Sequence, residues 1–508
     1  MMNLLSSKYP KSRGTSDVPA RFCPEQGCPP LNSRQTFNIS GKIATRESGY
    51  HSAMNTSFFG EMLNSITERG RALLDRTRDR RGDSAARSES LNDLCQELLT
   101  GRGEASGAAL AGEILAKYSE LTTGPRIAFF EALAMRYGPD RERLDAAIAA
   151  WQAASSDKTA AEIHAAAEPR RQELLRRLNL APGGTAALVR MREQLLDALD
   201  HRDDLKAVDA DFVHLFSSWF NRGFLVLRRI DWSTPAMILE KIIRYEAVHR
   251  IRSWDDLRRR IDPPDRRCYA FFHPALLDEP LIFVEVALSR EIPDAIAPIL
   301  SVQRDGVEQD RVTTATFYSI SNCQRGLAGV SFGNFLIKQV VQEISRENPR
   351  LKTFVTLSPA PDFARWLDGE RKAESSSALA PGDRAALEGL DRQGWWQLPP
   401  VREPMQEPLL RAAAYYYLHA KNRRGLPYDA VARFHLGNGA RLERLNWLAD
   451  GSDNGITQSH GLMVNYLYDL DDIEKNHEAY AEGRRVVASN AVRRLLKGAA
   501  TEVVPVAG

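Results

Sequence analysis

Residues 313–357 read as strand, glycine-bearing loop, helix and strand, and that order restricts the fold more than any other stretch of the chain. β-Branched and aromatic residues fill 313–321 (TTATFYSIS), as in a strand. Gly326, Gly329 and Gly333 follow in the loop 322–334. Leu336, Ile337, Val340, Val341 and Ile344 then recur at threes and fours, on one face of a helix predicted over 335–347. The segment 351–357 (LKTFVTL) is the next strand. A helix with one apolar stripe between two strands buries that stripe on a sheet, so the unit is α+β or α/β. Two more strands are predicted upstream, over 268–273 (CYAFFH) and 281–288 (LIFVEVAL), joined by a loop over 274–280. Downstream, 371–391 contains three consecutive serines and Pro381-Gly382 and reads as a mobile insertion; 409–420 is helical.

The first part of the chain has a different texture. From about 55 to 200 helix formers dominate, with Leu110, Ile114, Leu115 and Tyr118 sharing one helix face and Gly-Pro or Pro-Gly breaks between helices. This part holds few histidines and no phosphate loop, so packing against another chain or against the second domain is its expected work. The expected organisation is a disordered tail over 1–53, a helical domain over 54–207 and a catalytic domain over 208–508. Of 508 residues, 68 are Lys or Arg and 66 are Asp or Glu, a formal balance of +2. A nucleic-acid face therefore needs a local basic patch. No stretch approaches the ~18 apolar residues of a membrane span. The expectation is a soluble cytoplasmic protein with no nucleic-acid or membrane partner. Five scattered cysteines do not make a disulfide scaffold. Cys23 and Cys28 lack a second ligand pair, so no metal site is expected.

Glycines ahead of a helix let another molecule approach unpaired backbone N–H groups, as in a pyrophosphate cradle, although such loops are more often plain turns. No Gly-Lys-Ser/Thr follows, which removes a Walker A loop. Gly329-Val330-Ser331-Phe332-Gly333 matches G-x-S-x-G, so a serine hydrolase or thioesterase using Ser331 is the rival reading, with His435 or His460 later in the chain. Against it, about ten residues separate Ser331 from the strand end that a nucleophile elbow requires. Ser358 precedes Pro359 and is biased toward extended backbone. His435 lies among apolar residues in FHLGNGA, where a histidine is more often a hydrogen-bonded core residue. Spacing alone does not raise either above background.

Taken together, HPALLDEPLIFVEVAL (273–288), ATFYSISNCQRGLAGVSFGNFLIKQVV (315–341), LKTFVTLSPAPDFARWL (351–367), FHLGNGARLERLNWLAD (434–450) and GLMVNYLYDL (461–470) resemble malonyl-CoA decarboxylases. The resemblance covers roughly 208–490. It implies an α+β chain: an N-terminal all-α oligomerisation domain followed by a catalytic domain of GNAT-type acetyltransferase fold, in which two central parallel strands splay to admit a pantetheine arm. It implies malonyl-CoA as substrate, acetyl-CoA and CO2 as products, no metal or prosthetic group, and a homo-oligomer, dimer or tetramer, formed through the helical domain. Carried over residue by residue, Ser358 is the proton acceptor or carboxylate contact and His435 the proton donor. Tyr468 is a third polar group near the thioester or near Ser319, with a satisfied core tyrosine as the alternative, and Ser319 on the strand counts among the substrate-binding residues. Ala328, Gly329, Val330, Ser331, Phe332, Gly333 and Asn334 take the pyrophosphate role. The loop departs from the generic acetyltransferase pattern, with Ala328 at its first position and Ser331 at its fourth. The non-enzymatic alternative is a CoA-binding sensor. The arginines Arg258, Arg259, Arg260, Arg266 and Arg267 either meet CoA phosphates or form a solvated helix end.

Overall fold

The computed structural model describes residues 65, 68–72, 90–100, 103–303, 309–330 and 336–496. The tail expected over 1–53, with Cys23 and Cys28, lies outside the described residues.

Helices cover Leu91–Leu99, Glu104–Glu120, Thr123–Arg136, Arg141–Ala153, Asp157–Ala167 and Arg170–Leu178, followed by α1 (Gly184–Ala198) and α2 (Lys206–Trp219). Ser90 and Asp140 start two of them by accepting the N–H three residues on, at 3.2 and 3.1 Å. Leu110, Ile114, Leu115 and Tyr118 are buried together, as their spacing requires. Among the described residues no helix is long and apolar enough to cross a membrane.

After Trp219 the chain builds a mixed sheet. Its strands are β1 (Val226–Ile230), β2 (Arg266–His273), β3 (Leu276–Ser289), β4 (Thr314–Asn322), β5 (Thr353–Thr356), β6 (Ser358–Pro359), β7 (Arg441–Asn446) and β8 (Met463–Leu467). They lie in the order β1-β2-β3-β4-β5-β8-β6, with β7 paired to β8. The β4–β5 pair is parallel and needs a crossover, which contains α5 (Leu336–Glu347). The apolar stripe of α5 is buried at all five positions read from the sequence. Two helices, α3 (Ala236–Tyr245) and α4 (Trp254–Ile261), lie between β1 and β2; α6 (Gln406–Leu418) and α7 (Ala430–Gly437) lie between β6 and β7.

Two local expectations change. The 274–280 loop is mostly strand: β3 starts at Leu276, which is buried, and register shifts near Phe272 absorb the irregularity, with Asp278 at φ 57°. The 371–391 segment is packed rather than a mobile insertion. Leu379, Leu387 and Leu390 are buried, Pro381–Ala386 is helical, and Asp383 pairs with Arg411 at 3.4 Å.

The helical part grips the sheet part next to the glycine loop. A Cβ on Gly326 would stand 2.0 Å from the Val189 carbonyl oxygen of α1, so only glycine permits this approach. The buried Arg192 of α1 donates from Nη1 to the carbonyls of Gly326 (2.8 Å) and Ala328 (2.7 Å), and from Nε to Asp209 (2.8 Å).

Candidate active site

The parallel strands part where prolines enter the chain. The β4–β5 ladder ends at Phe317 and Thr356, and the Leu357 N–H donates to the Phe317 carbonyl at 3.0 Å. Ser358 and Pro359 then pair with Val464 and Met463 of β8 instead of β4. Pro359 and Pro361 have no N–H to offer β4, so the ladder cannot continue through them. A cavity of about 110 Å³ opens in the gap, with Phe317, Ser319, Ile320, Ser358, Phe434 and His435 among its walls.

Four polar side chains form one chain at this cavity. Ser358 Oγ lies 3.0 Å from His435 Nε2 and donates to Thr356 Oγ1 at 2.8 Å. On the other side of the ring, Nδ1 lies 2.8 Å from the Tyr468 hydroxyl. Thr356 Oγ1 also accepts the N–H of Tyr466 at 3.2 Å. The Tyr466 ring stacks on His435 at 4.6 Å and 25° and fixes the imidazole plane. Burial pushes the His435 pKa down to about 3, so the ring is neutral at neutral pH. Burial also pushes the Tyr468 hydroxyl well above the ordinary tyrosine range, which keeps its proton in place.

The scaffold around His435 is equally specified. Asp429 caps α7 by accepting the Ala432 N–H at 2.7 Å and takes the Tyr416 hydroxyl at 3.3 Å; burial raises its pKa to about 6. Gly439 ends the turn after α7 at φ 83°, where a Cβ would meet the Ile473 carbonyl oxygen at 2.1 Å.

Ser319 lines the cavity too, but its hydroxyl is bound to the buried Glu246. Burial pushes the Glu246 pKa up; the His249 N–H, Ser319, Arg260 and Ser321 pull it back. Ala328, Gly329 and Val330 are placed after the turn Arg325–Leu327, Gly329 with φ 80°. Ser331, the rival nucleophile, lies outside the described residues, as do Phe332, Gly333 and Asn334. His460 stands against Trp395, at 6.2 Å between rings. Each of the five clustered arginines has an acidic partner: Arg258 with Asp262, Arg259 with Asp256, Arg260 with Glu285, Arg266 with Asp265 and Arg267 with Glu347. Among the described residues no group of three or more His, Cys, Asp or Glu side chains is arranged to hold a metal ion.

Thr356, Tyr466 and Glu246 escaped the sequence reading. Strand alternation places Thr356 on the face of Ser358, two residues away, and that signal was available. Glu246 carries none, since only the fold brings it to Ser319.

The model of the malonyl-CoA decarboxylase C-terminal domain matches residues 223–505, and that of the N-terminal domain matches 137–220. The mitochondrial malonyl-CoA decarboxylase of Anser anser anser is 38% identical over 354 residues, covering 64% of this chain and 69% of the relative. The crystal structure of malonyl-CoA decarboxylase from Rhodopseudomonas palustris is similar at 59% identity and TM-score 0.78, over 80% of this chain and 98% of that one. The crystal structure of malonyl-CoA decarboxylase from Agrobacterium vitis gives 56% and 0.77, over 80% and 99%.

Proposed function

This chain belongs to the malonyl-CoA decarboxylase family, and we propose that it is the carboxy-lyase that converts malonyl-CoA to acetyl-CoA and CO2. The observation that carries the reading is the contact of Ser358 with His435 at a cavity between splayed parallel strands.

The bond from the carboxylate to the α-carbon breaks and its electrons delocalise onto the thioester oxygen as an enolate. The α-carbon then takes one proton, which solvent later replaces. The thioester is itself the electron sink, so the chemistry calls for no metal or prosthetic group. Past Phe317 the β4 edge faces the cavity without β5, and backbone donors there meet the thioester oxygen. One fixed donor at a developing oxyanion is worth about 3–4 kcal/mol. Apolar walls such as Phe317, Ile320 and Phe434 solvate a carboxylate poorly, which favours the dispersed charge of the transition state.

Tyr468 donates its proton to Nδ1, which puts the ring proton of neutral His435 on Nε2, facing Ser358. His435 is the proton donor to the α-carbon, because an enolate is basic enough to take a proton from a neutral imidazole. Ser358 accepts from Nε2 and turns its hydroxyl from Thr356 to the malonyl carboxylate. Residues 328–334, ahead of α5, hold the CoA pyrophosphate on backbone N–H groups. Residues 54–207 serve self-association, and the enzyme works in the cytoplasm; light scattering of the intact chain and cell fractionation check these two points.

Release of labelled CO2 from malonyl-CoA tests the activity, and the Ser358→Ala and His435→Ala proteins test the roles. Full activity in His435→Ala would remove His435 from the chemistry.

A further inference from the structure

Ser319 reaches the cavity with its hydroxyl proton already committed. Glu246, which follows α3, accepts that proton at 2.8 Å on Oε1 and 2.9 Å on Oε2. Oε1 also accepts the backbone N–H of Val248 at 3.0 Å and of His249 at 2.6 Å. Oε2 accepts the Ser321 hydroxyl at 3.0 Å. Ser321 Oγ lies 3.3 Å from Ser319 Oγ and accepts the N–H of Ala247 at 3.3 Å. Four donors thus converge on two oxygens, which matches a carboxylate, an acceptor only. Glu246 is 7% exposed and Ser319 2%, so bulk water does not compete for these bonds. A hydroxyl has one proton and two lone pairs. What Ser319 offers the cavity is therefore an acceptor.

The malonyl group has nothing to match it, since its carboxylate and its thioester carbonyl accept only. The first N–H along a CoA thioester belongs to the amide two carbons beyond the sulfur. We propose that Glu246 is a positioning residue that fixes Ser319 as the acceptor for this first pantetheine amide, and that the pair selects thioesters bearing the amide over those without it. The inference rests on the decarboxylase reading and gives its site a specificity element. Glu246 acts only through Ser319.

The test compares two small substrates, the malonyl thioesters of N-acetylcysteamine and of 2-acetoxyethanethiol, which differ in an N–H replaced by an ester oxygen. The wild-type enzyme is expected to favour the amide by about ten-fold or more in kcat/KM. In Glu246→Gln, the side-chain oxygen still accepts the two backbone N–H groups while its NH2 donates to the serines. The Ser319 proton then turns to the cavity, and the preference is expected to shrink to about two-fold or less. Ser319→Ala should do the same, and the double variant should add nothing to it; should Glu246→Gln fail to fold, Ser319→Ala alone carries the test. A wild-type enzyme indifferent to the amide overturns the inference, as does a folded Glu246→Gln or Ser319→Ala protein that keeps the wild-type preference. Absence of CO2 release from malonyl-CoA itself in the wild type fails the decarboxylase reading first, so the two failures are told apart.

Discussion

His435 and Tyr468 meet at 2.8 Å through Nδ1, on the ring edge away from Ser358. That contact sets which nitrogen carries the proton of a neutral imidazole, and so whether Nε2 can donate at the cavity. Removing the hydroxyl by Tyr468→Phe keeps the ring packing and releases the tautomer. The expected result is a fall in kcat of about ten- to hundred-fold with little change in KM, against about 10²–10⁴-fold for His435→Gln. Steady-state kinetics with malonyl-CoA check both; a Tyr468→Phe enzyme with wild-type kcat would leave Tyr468 as a core residue only.

The depressed pKa of His435 also makes stability depend on pH. The imidazole titrates near 6.5 when unfolded and near 3 in the fold, because burial penalises the charged ring. Between those values the unfolded chain binds a proton that the folded chain does not, so stability falls as pH drops from about 6.5 toward 3. His249 and His460, both pushed down to about 4 chiefly by burial, act in the same sense. Asp429, raised to about 6 by burial, opposes them between its ordinary 3.8 and 6. Denaturant unfolding at pH 7 and pH 5 should show wild type losing about 2 kcal/mol more than His435→Gln on acidification, at ~1.4 kcal/mol per pH unit per proton. Equal losses in the two proteins would contradict a neutral buried His435.

Much of this architecture was legible because burial on one face imposes a period. The stripe of α5 and the strands around 268–288 and 313–321 follow from that. Residues 371–391 were misread because serines and Pro-Gly masked Leu379, Leu387 and Leu390, whose burial decides the segment. Ser358 and His435 stand 77 residues apart, and no local rule joins them; the family resemblance supplied that pair. Thr356 shares the strand face of Ser358, whereas Glu246 comes to Ser319 of β4 only because α3 packs on the neighbouring β3.

Arg260 and Glu285 form a buried ion pair at 3.0 Å, with the Glu285 side chain fully inaccessible. Burial pushes Glu285 up to about 8 while Arg260 pulls it down. Arg260→Met removes the counter-charge, so the folded carboxyl must stay protonated while the unfolded one ionises above its ordinary 4.5. With its carboxyl at about 8, the wild type keeps the same proton below that pH, so the two proteins lose stability in parallel there. The cost of Arg260→Met should grow only as pH rises above about 8, where the wild-type carboxyl ionises beside Arg260, by up to ~1.4 kcal/mol per pH unit. Adding Glu285→Gln should flatten that pH dependence. Thermal melts from about pH 7 to about pH 10 check it, and a cost in Arg260→Met that stays constant across that range would exclude Glu285 as its source.

Arg192 connects the helical part to the loop that precedes α5. One Nη1 donates to two carbonyls, Gly326 and Ala328, and the trans peptide after Ala328 therefore directs the Gly329 N–H to the opposite side. Arg192→Met frees this peptide, while Asp209 is partly exposed and can be rehydrated. If residues 328–334 hold the CoA phosphates, the variant should raise KM for malonyl-CoA by about ten-fold, close to the ~1.5 kcal/mol of one charge-assisted hydrogen bond, with kcat nearly unchanged. Arg192→Lys, which keeps a charge and several donors, should recover part of the loss. The malonyl thioester of N-acetylcysteamine lacks the phosphates and should show no such rise. A folded Arg192→Met enzyme with the wild-type KM for malonyl-CoA would mean that α1 braces this turn without orienting its donors.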